Sequence, residues 1–169
     1  LLSRLQGLLS ARDTAGAGAL LEQARETDPE NPRLHLAEAQ LQAATGDAKG
    51  AQETLEHLPL ELLDDPEVKA LQGAVQFASL LQGAPAKSEL AARLETDPND
   101  SDSRYRLAAH LVVGGDYEGA LHQLLELLRR DRGFGEDAAR KGMVMVFDML
   151  GGEGDLVSRY RTRMLNALY

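Results

Sequence analysis

Cysteine and tryptophan are absent from the 169 residues, and aromatic side chains of all kinds make up only 4%. Without cysteine the chain holds no thiolate nucleophile, redox pair, Cys–zinc site or iron–sulfur cluster. Long apolar runs are missing too, and none approaches the ~20 residues needed to cross a bilayer. No basic-plus-apolar leader opens the chain, which begins at Leu1, so a piece of a longer cytoplasmic protein is the expectation. Positive charge is scarce: 18 Lys and Arg face 27 Asp and Glu, a net of −9. That balance argues against nucleic acid as a partner, because such binding needs a basic face. The remaining 43% hydrophobic residues suffice for one or two cores, since a chain of this size buries roughly 70% of its unfolded surface.

The charge is unevenly spread. Residues 1–128 carry 10 basic and 21 acidic side chains, whereas 129–169 carry 8 basic and 6 acidic. The first stretch is an acidic body with a net of −11, and the second a weakly basic end with a net of +2. Such asymmetry shapes association more than fold.

Internal repetition organises the chain. Residues 26–58 laid on 95–127 give 11 identities in 33 positions without a gap. Glu26-Thr27-Asp28-Pro29 returns as Glu95-Thr96-Asp97-Pro98, Ala39 as Ala108, Gly46-Asp47 as Gly115-Asp116, and Gly50-Ala51 as Gly119-Ala120. Leu55 and Leu58 return as Leu124 and Leu127. The offset of 69 is about two 34-residue units, so a further unit is expected between. It opens at Asp65-Pro66-Glu67, an Asp cap followed by Pro and an acid. Apolar residues then fall at helical spacing through Val68, Leu71 and Val75. The chain parses into helix pairs over about 1–12 with 15–26, 32–45 with 47–58, 66–82 with 86–96, 101–113 with 116–130, and 136–150 with 153–168. No stretch alternates long enough for a strand. The expectation is all-α, about ten antiparallel helices in a superhelical array that forms a single domain over 1–169.

Each Gly-Asp pair lets one helix end and the next begin within a residue or two. Ala39, Ala51, Ala108 and Ala120 are small where helices must approach closely. A lone pair cannot bury both faces, so units must stack as a solenoid.

These residues, Pro29, Ala39, Gly46, Ala51 and Leu55, then Pro98, Ala108, Gly115, Tyr117, Ala120 and Leu124, resemble a tetratricopeptide array. The aromatic positions of that pattern's first helix are instead His35 and Gln42, then Arg104 and Leu111. A closer resemblance runs through Ser103-Arg104-Tyr105-Arg106-Leu107-Ala108, Gly115 to Leu121, Leu127 to Lys141, Val157-Ser158-Arg159-Tyr160-Arg161, and Leu165 to Tyr169. It is to the C-terminal helical half of the bacterial thioredoxin-like co-chaperones of the chaperedoxin (YbbN-type) family. The resemblance implies a thioredoxin-like domain before Leu1, holding of unfolded client proteins, and contact with a chaperonin through the C-terminal helix. From the residues themselves, no enzymatic activity and no cofactor is expected.

Residue chemistry points the same way. Four His at 35, 57, 110 and 122 show no metal-ligand spacing; His110 and His122 could face each other across a pair, with a surface or half-buried role favoured. Acidic pairs such as Glu136-Asp137 sit at helix starts, where each stabilises the terminus by ~0.3–1 kcal/mol. None of the Gly-rich turns carries a phosphate-binding Lys. Met143, Val144, Met145, Val146, Phe147 and Met149 make an apolar helix expected to be covered by the last one. On that last helix Val157, Tyr160, Met164 and Leu168 share a face, Arg159 and Arg163 lie on another, and Leu165 and Tyr169 extend the apolar end. Two roles stand open, a cap that closes the core and a docking helix for a partner groove. By the family's pattern the inner lining falls on Arg33, Leu36, Gln40 and Ala43, then Asp102, Tyr105, Ala109 and Val112. It lacks a basic clamp and suits an extended apolar polypeptide. The candidate protein-binding set is therefore Arg159, Tyr160, Arg163, Leu165, Leu168 and Tyr169, with Leu36, Tyr105 and Val112. A monomer is favoured, and a structural spacer or dimerisation domain is the alternative.

Overall fold

A computed structural model describes residues 1–169 as ten α-helices and one 3₁₀ turn, with no strand. The helices are α1 (Leu2–Ser10), α2 (Thr14–Thr27), α3 (Arg33–Ala44), α4 (Ala48–Glu56), α5 (Pro66–Ser79), α6 (Lys87–Thr96), α7 (Ser101–Val113), α8 (Tyr117–Arg130), α9 (Ala138–Met149) and α10 (Asp155–Leu168). All five helix pairs fall where the spacing places them. The 3₁₀ turn Leu60–Leu62 is new, and its Leu62 is buried. The chain divides into two compact units, Leu1–Val75 and Gln76–Tyr169.

The starts of three helices share one device. Asp13, Asp47 and Asp116 each cap a helix by accepting a backbone N–H from the residue three ahead, Gly16 at 2.8 Å, Gly50 at 2.9 Å and Gly119 at 2.9 Å. Side-chain caps of this kind stabilise a helix by about 1 kcal/mol. The capping residues hold ψ at 73°, 69° and 74°. That curls each carboxylate over the first turn, where a Cβ on the glycine would strike it. Two of these helices follow Gly46 (φ 87°) and Gly115 (φ 82°), whose left-handed backbone ends the preceding helix.

In the first unit α1 packs on α2 and α3, α2 on α3, and α3 on α4. Leu5, Ala17, Leu21, Leu36, Ala39, Ala51, Leu55 and Val68 form its core. The paired alanines Ala39 and Ala51 are fully buried, as their small size requires at a helix crossing.

In the second unit α7 packs on α6 and α8, while α8 also receives both α9 and α10. Its core joins Phe77, Leu90, Leu121, Leu124, Leu128, Met143, Val146 and Phe147 to Val157, Tyr160 and Met164 of α10. The apolar α9 is thus covered chiefly by α8 rather than by the last helix. Gly142 makes that possible: a Cβ there would lie 3.1 Å from Leu124 Cδ2. Burying a leucine such as Leu124 stabilises by ~1.5–3 kcal/mol.

Candidate functional site

The end of α10 is amphipathic, and the fold divides its residues sharply. Val157, Tyr160 and Met164 face the core, with Tyr160 only 3% exposed. Leu165 is 47% exposed and Tyr169 fully so. Leu168, between them, packs partly against the core. Tyr160 therefore serves as an anchor and offers a partner no surface, which corrects its place among the docking candidates. Spacings of three and four put it on the same face as Val157 and Met164.

Cations frame this end. The Arg159 and Arg163 guanidinium carbons lie 5.6 and 5.0 Å from the Tyr160 ring centre, within cation–π range. Arg159 also donates to Glu118 Oε1 of α8 at 2.7 Å. Arg161 covers the Phe147 ring at 5.4 Å and donates to the Gly152 carbonyl at 3.2 Å. Arg132 donates to the Leu168 carbonyl at 3.0 Å, satisfying a group that a helix end otherwise leaves open. Arg132, Gly133, Glu136, Arg140, Leu168 and Tyr169 line a shallow depression of about 470 Å³. Glu136 and Asp137, which both line it, stand with Gly135 in a left-handed turn, the φ angles of 135, 136 and 137 being 57°, 56° and 71°. The sequence reading missed Arg132, Arg161 and Glu118, which act here through tertiary contacts that no local spacing announces.

The inner lining is less open than its register suggests. Leu36 is fully buried and Val112 nearly so, along with Ala109 and Gln40. As folded, Leu36 and Val112 belong to the cores and present nothing to a partner. Tyr105 is half-buried, edge-on to Phe134 with ring centres 5.8 Å apart. Burial pushes its phenol pKa up.

Arg104, which stands where a tetratricopeptide pattern carries an aromatic residue, is buried. It donates to Gln123 Oε1 at 2.7 Å and to the Pro98 carbonyl at 2.9 Å. Burial lowers its pKa, the Arg130 charge lowers it further, and Glu126 opposes both. His110 bonds the Pro85 carbonyl at 2.9 Å rather than facing His122, which is exposed. No three His, Asp or Glu side chains gather to hold a metal ion, and no helix is long and apolar enough to cross a membrane.

Tetratricopeptide repeat family profiles match residues 81–169 and, separately, residues 8–75. The chain belongs to the tetratricopeptide repeat family. A search of curated proteins returns no match. Among solved structures the chain is similar to a domain of protein VP0806, of unknown function, from Vibrio parahaemolyticus RIMD 2210633. The two are 25% identical, with 99% of this chain and 98% of the other covered and a TM-score of 0.43. Tetratricopeptide repeat domains generally mediate contacts between proteins and are typically not enzymes.

Proposed function

We propose that this tetratricopeptide repeat chain is the interaction module of a thioredoxin-like co-chaperone, one that holds partly unfolded clients and docks to a chaperonin through the end of α10. The observation that carries the reading is the division within α10. Val157, Tyr160 and Met164 fasten the helix, while Leu165 and Tyr169 project with Arg163 beside them. Leu165 and Tyr169, one helical turn apart, leave two large apolar side chains exposed at the end of the helix. Apolar anchors four residues apart are what a groove reads from a docked helix.

The test uses full-length chain on immobilised chaperonin, with Leu165→Asp/Tyr169→Ser as the variant. Both side chains are exposed, so helicity and melting should be unchanged while capture is lost. Retained capture would refute the docking role. Client holding is read separately, as suppression of light scattering by a chemically denatured substrate protein. An equal mass of inert protein giving the same suppression would count against it.

A further inference from the structure

The first unit contains a polar network that the protein-binding reading does not use. Gln6 on α1 and Gln40 on α3 stand 34 residues apart, at the same position of successive repeats. Both donate to one oxygen, Glu67 Oε1 at the start of α5, Gln6 Nε2 at 2.5 Å and Gln40 Nε2 at 2.8 Å. Gln40 is only 8% exposed, and its Oε1 is buried without a hydrogen-bond partner. Turning the Gln40 amide over would not help, since its oxygen would then oppose the Glu67 carboxylate. Leaving such an acceptor unpaired costs about 1–3 kcal/mol, and its cause lies in what surrounds it.

The surroundings are rich in acceptors and short of donors. Besides Gln40 Oε1, neither Glu67 Oε2 nor Gln6 Oε1 receives a side-chain hydrogen bond. Residues 1–75 carry 13 acids against 6 bases. Lys69, two residues from Glu67, is turned to Asp64 at 3.3 Å. Gln6 is exposed and Glu67 half-buried, so the network meets solvent on the Gln6 side.

We propose that Gln6, Gln40 and Glu67 form a receptor for a primary ammonium, the side chain of a lysine in a bound polypeptide. It rests on the reading above only in that the lysine belongs to a protein partner. An ammonium has three donors and no acceptor, matching three free oxygens and one carboxylate charge. The incoming cation meets Glu67 first. Gln6 then gives up its exposed bond and turns its carbonyl inward, and Gln40 Oε1 gains the donor it lacks. A guanidinium, a flat fork of five donors, brings more donors than there are free oxygens and is the poorer fit.

The experiment is a nuclear magnetic resonance titration of the full chain with Nα-acetyl-lysine methylamide, which needs no chaperonin or client. The side-chain amide signals of Gln6 and Gln40 should shift together and saturate. Glu67→Gln, which keeps shape and removes charge, should weaken the probe roughly tenfold, about the worth of one charge-assisted hydrogen bond. The probe acetylated on its side-chain nitrogen should move neither signal. The proposal is overturned by unmoved amides, equal shifts in Glu67→Gln, or equal shifts from the acetylated probe. Gln6→Ala, exposed and outside the core, supplies the second variant and should weaken the probe with melting unchanged; unaltered binding there removes Gln6 from the site. Chaperonin capture by the Glu67 variant should be normal, so the two readings fail independently.

Discussion

Gly119 lies so close under the Asp116 carboxylate that a Cβ at position 119 would force that carboxylate to shift from its place over the start of α8. Gly50 stands in the same relation to Asp47, and Gly16 to Asp13. The glycine is therefore part of the cap rather than a flexible point in the helix.

Gly119→Ala should for that reason destabilise the second unit. Replacing glycine by alanine inside a helix ordinarily gains up to ~1 kcal/mol, and the displaced cap costs about that or more. In an Asp116→Ala background the collision is gone, and the same change should turn stabilising. Urea unfolding of the four proteins in this cycle measures the coupling. Independent, additive effects would contradict the geometry.

Arg104 should be costly to lose. Arg104→Ala removes the donors to Gln123 Oε1 and the Pro98 carbonyl; a bond to a charged donor contributes about 1.5–3 kcal/mol, less here because water can reach the exposed Pro98. The second unit should lose roughly 2–4 kcal/mol, with Arg104→Lys between, since an ammonium cannot span both acceptors. Denaturant midpoints check this order.

Acid should weaken the second unit through two carboxylates. Hydrogen bonds from the Ser103 hydroxyl and backbone, with help from the Arg93 charge, hold Asp100 below the usual carboxylate range against the opposing effect of burial. Burial pushes Glu126 up, but hydrogen bonds and charge from Arg129 and Arg130 outweigh it and leave Glu126 lowered. A depressed folded-state pKa adds stability above the unfolded value, and that stability is lost as pH falls through the folded one. Melting temperature should therefore drop on acidification below the ordinary carboxylate range, and less steeply in Asp100→Asn. Parallel curves for the two proteins would contradict the assignment.

The helix pairs were legible because their punctuation is local. Asp-Pro and Gly-Asp mark ends, and alanines mark crossings, within a few residues of the structure they cause. The cap geometry was half legible: Gly50 and Gly119 align in sequence, but only the curled Asp ψ reveals why a glycine is needed. Asp13 and Gly16 repeat the device one unit before Asp47 and Gly50, and their surroundings share too little sequence to signal it. Leu36 and Val112 sit at inner positions by register, yet burial depends on what folds across them, which register does not contain. The covering of α9 by α8 likewise turns on Gly142, a single missing Cβ opposite Leu124.

Within α10, anchor and projecting end should separate cleanly. Tyr160→Ala empties a core site and should cost about 3–5 kcal/mol. Leu165→Ala and Tyr169→Ala should each stay within about 0.5 kcal/mol, as exposed positions do. Thermal melting distinguishes them, and a large loss from Tyr169→Ala would recast the helix end as part of the cap.

The central claim is that the exposed end of α10 binds a protein partner while its buried face holds the fold. The most direct measurement is the equilibrium affinity of chaperonin for the full chain, compared with Leu165→Asp/Tyr169→Ser at equal stability. The account predicts binding at least about tenfold weaker in the variant, the loss of ~1.4 kcal/mol or more. Unchanged affinity with unchanged melting would contradict it.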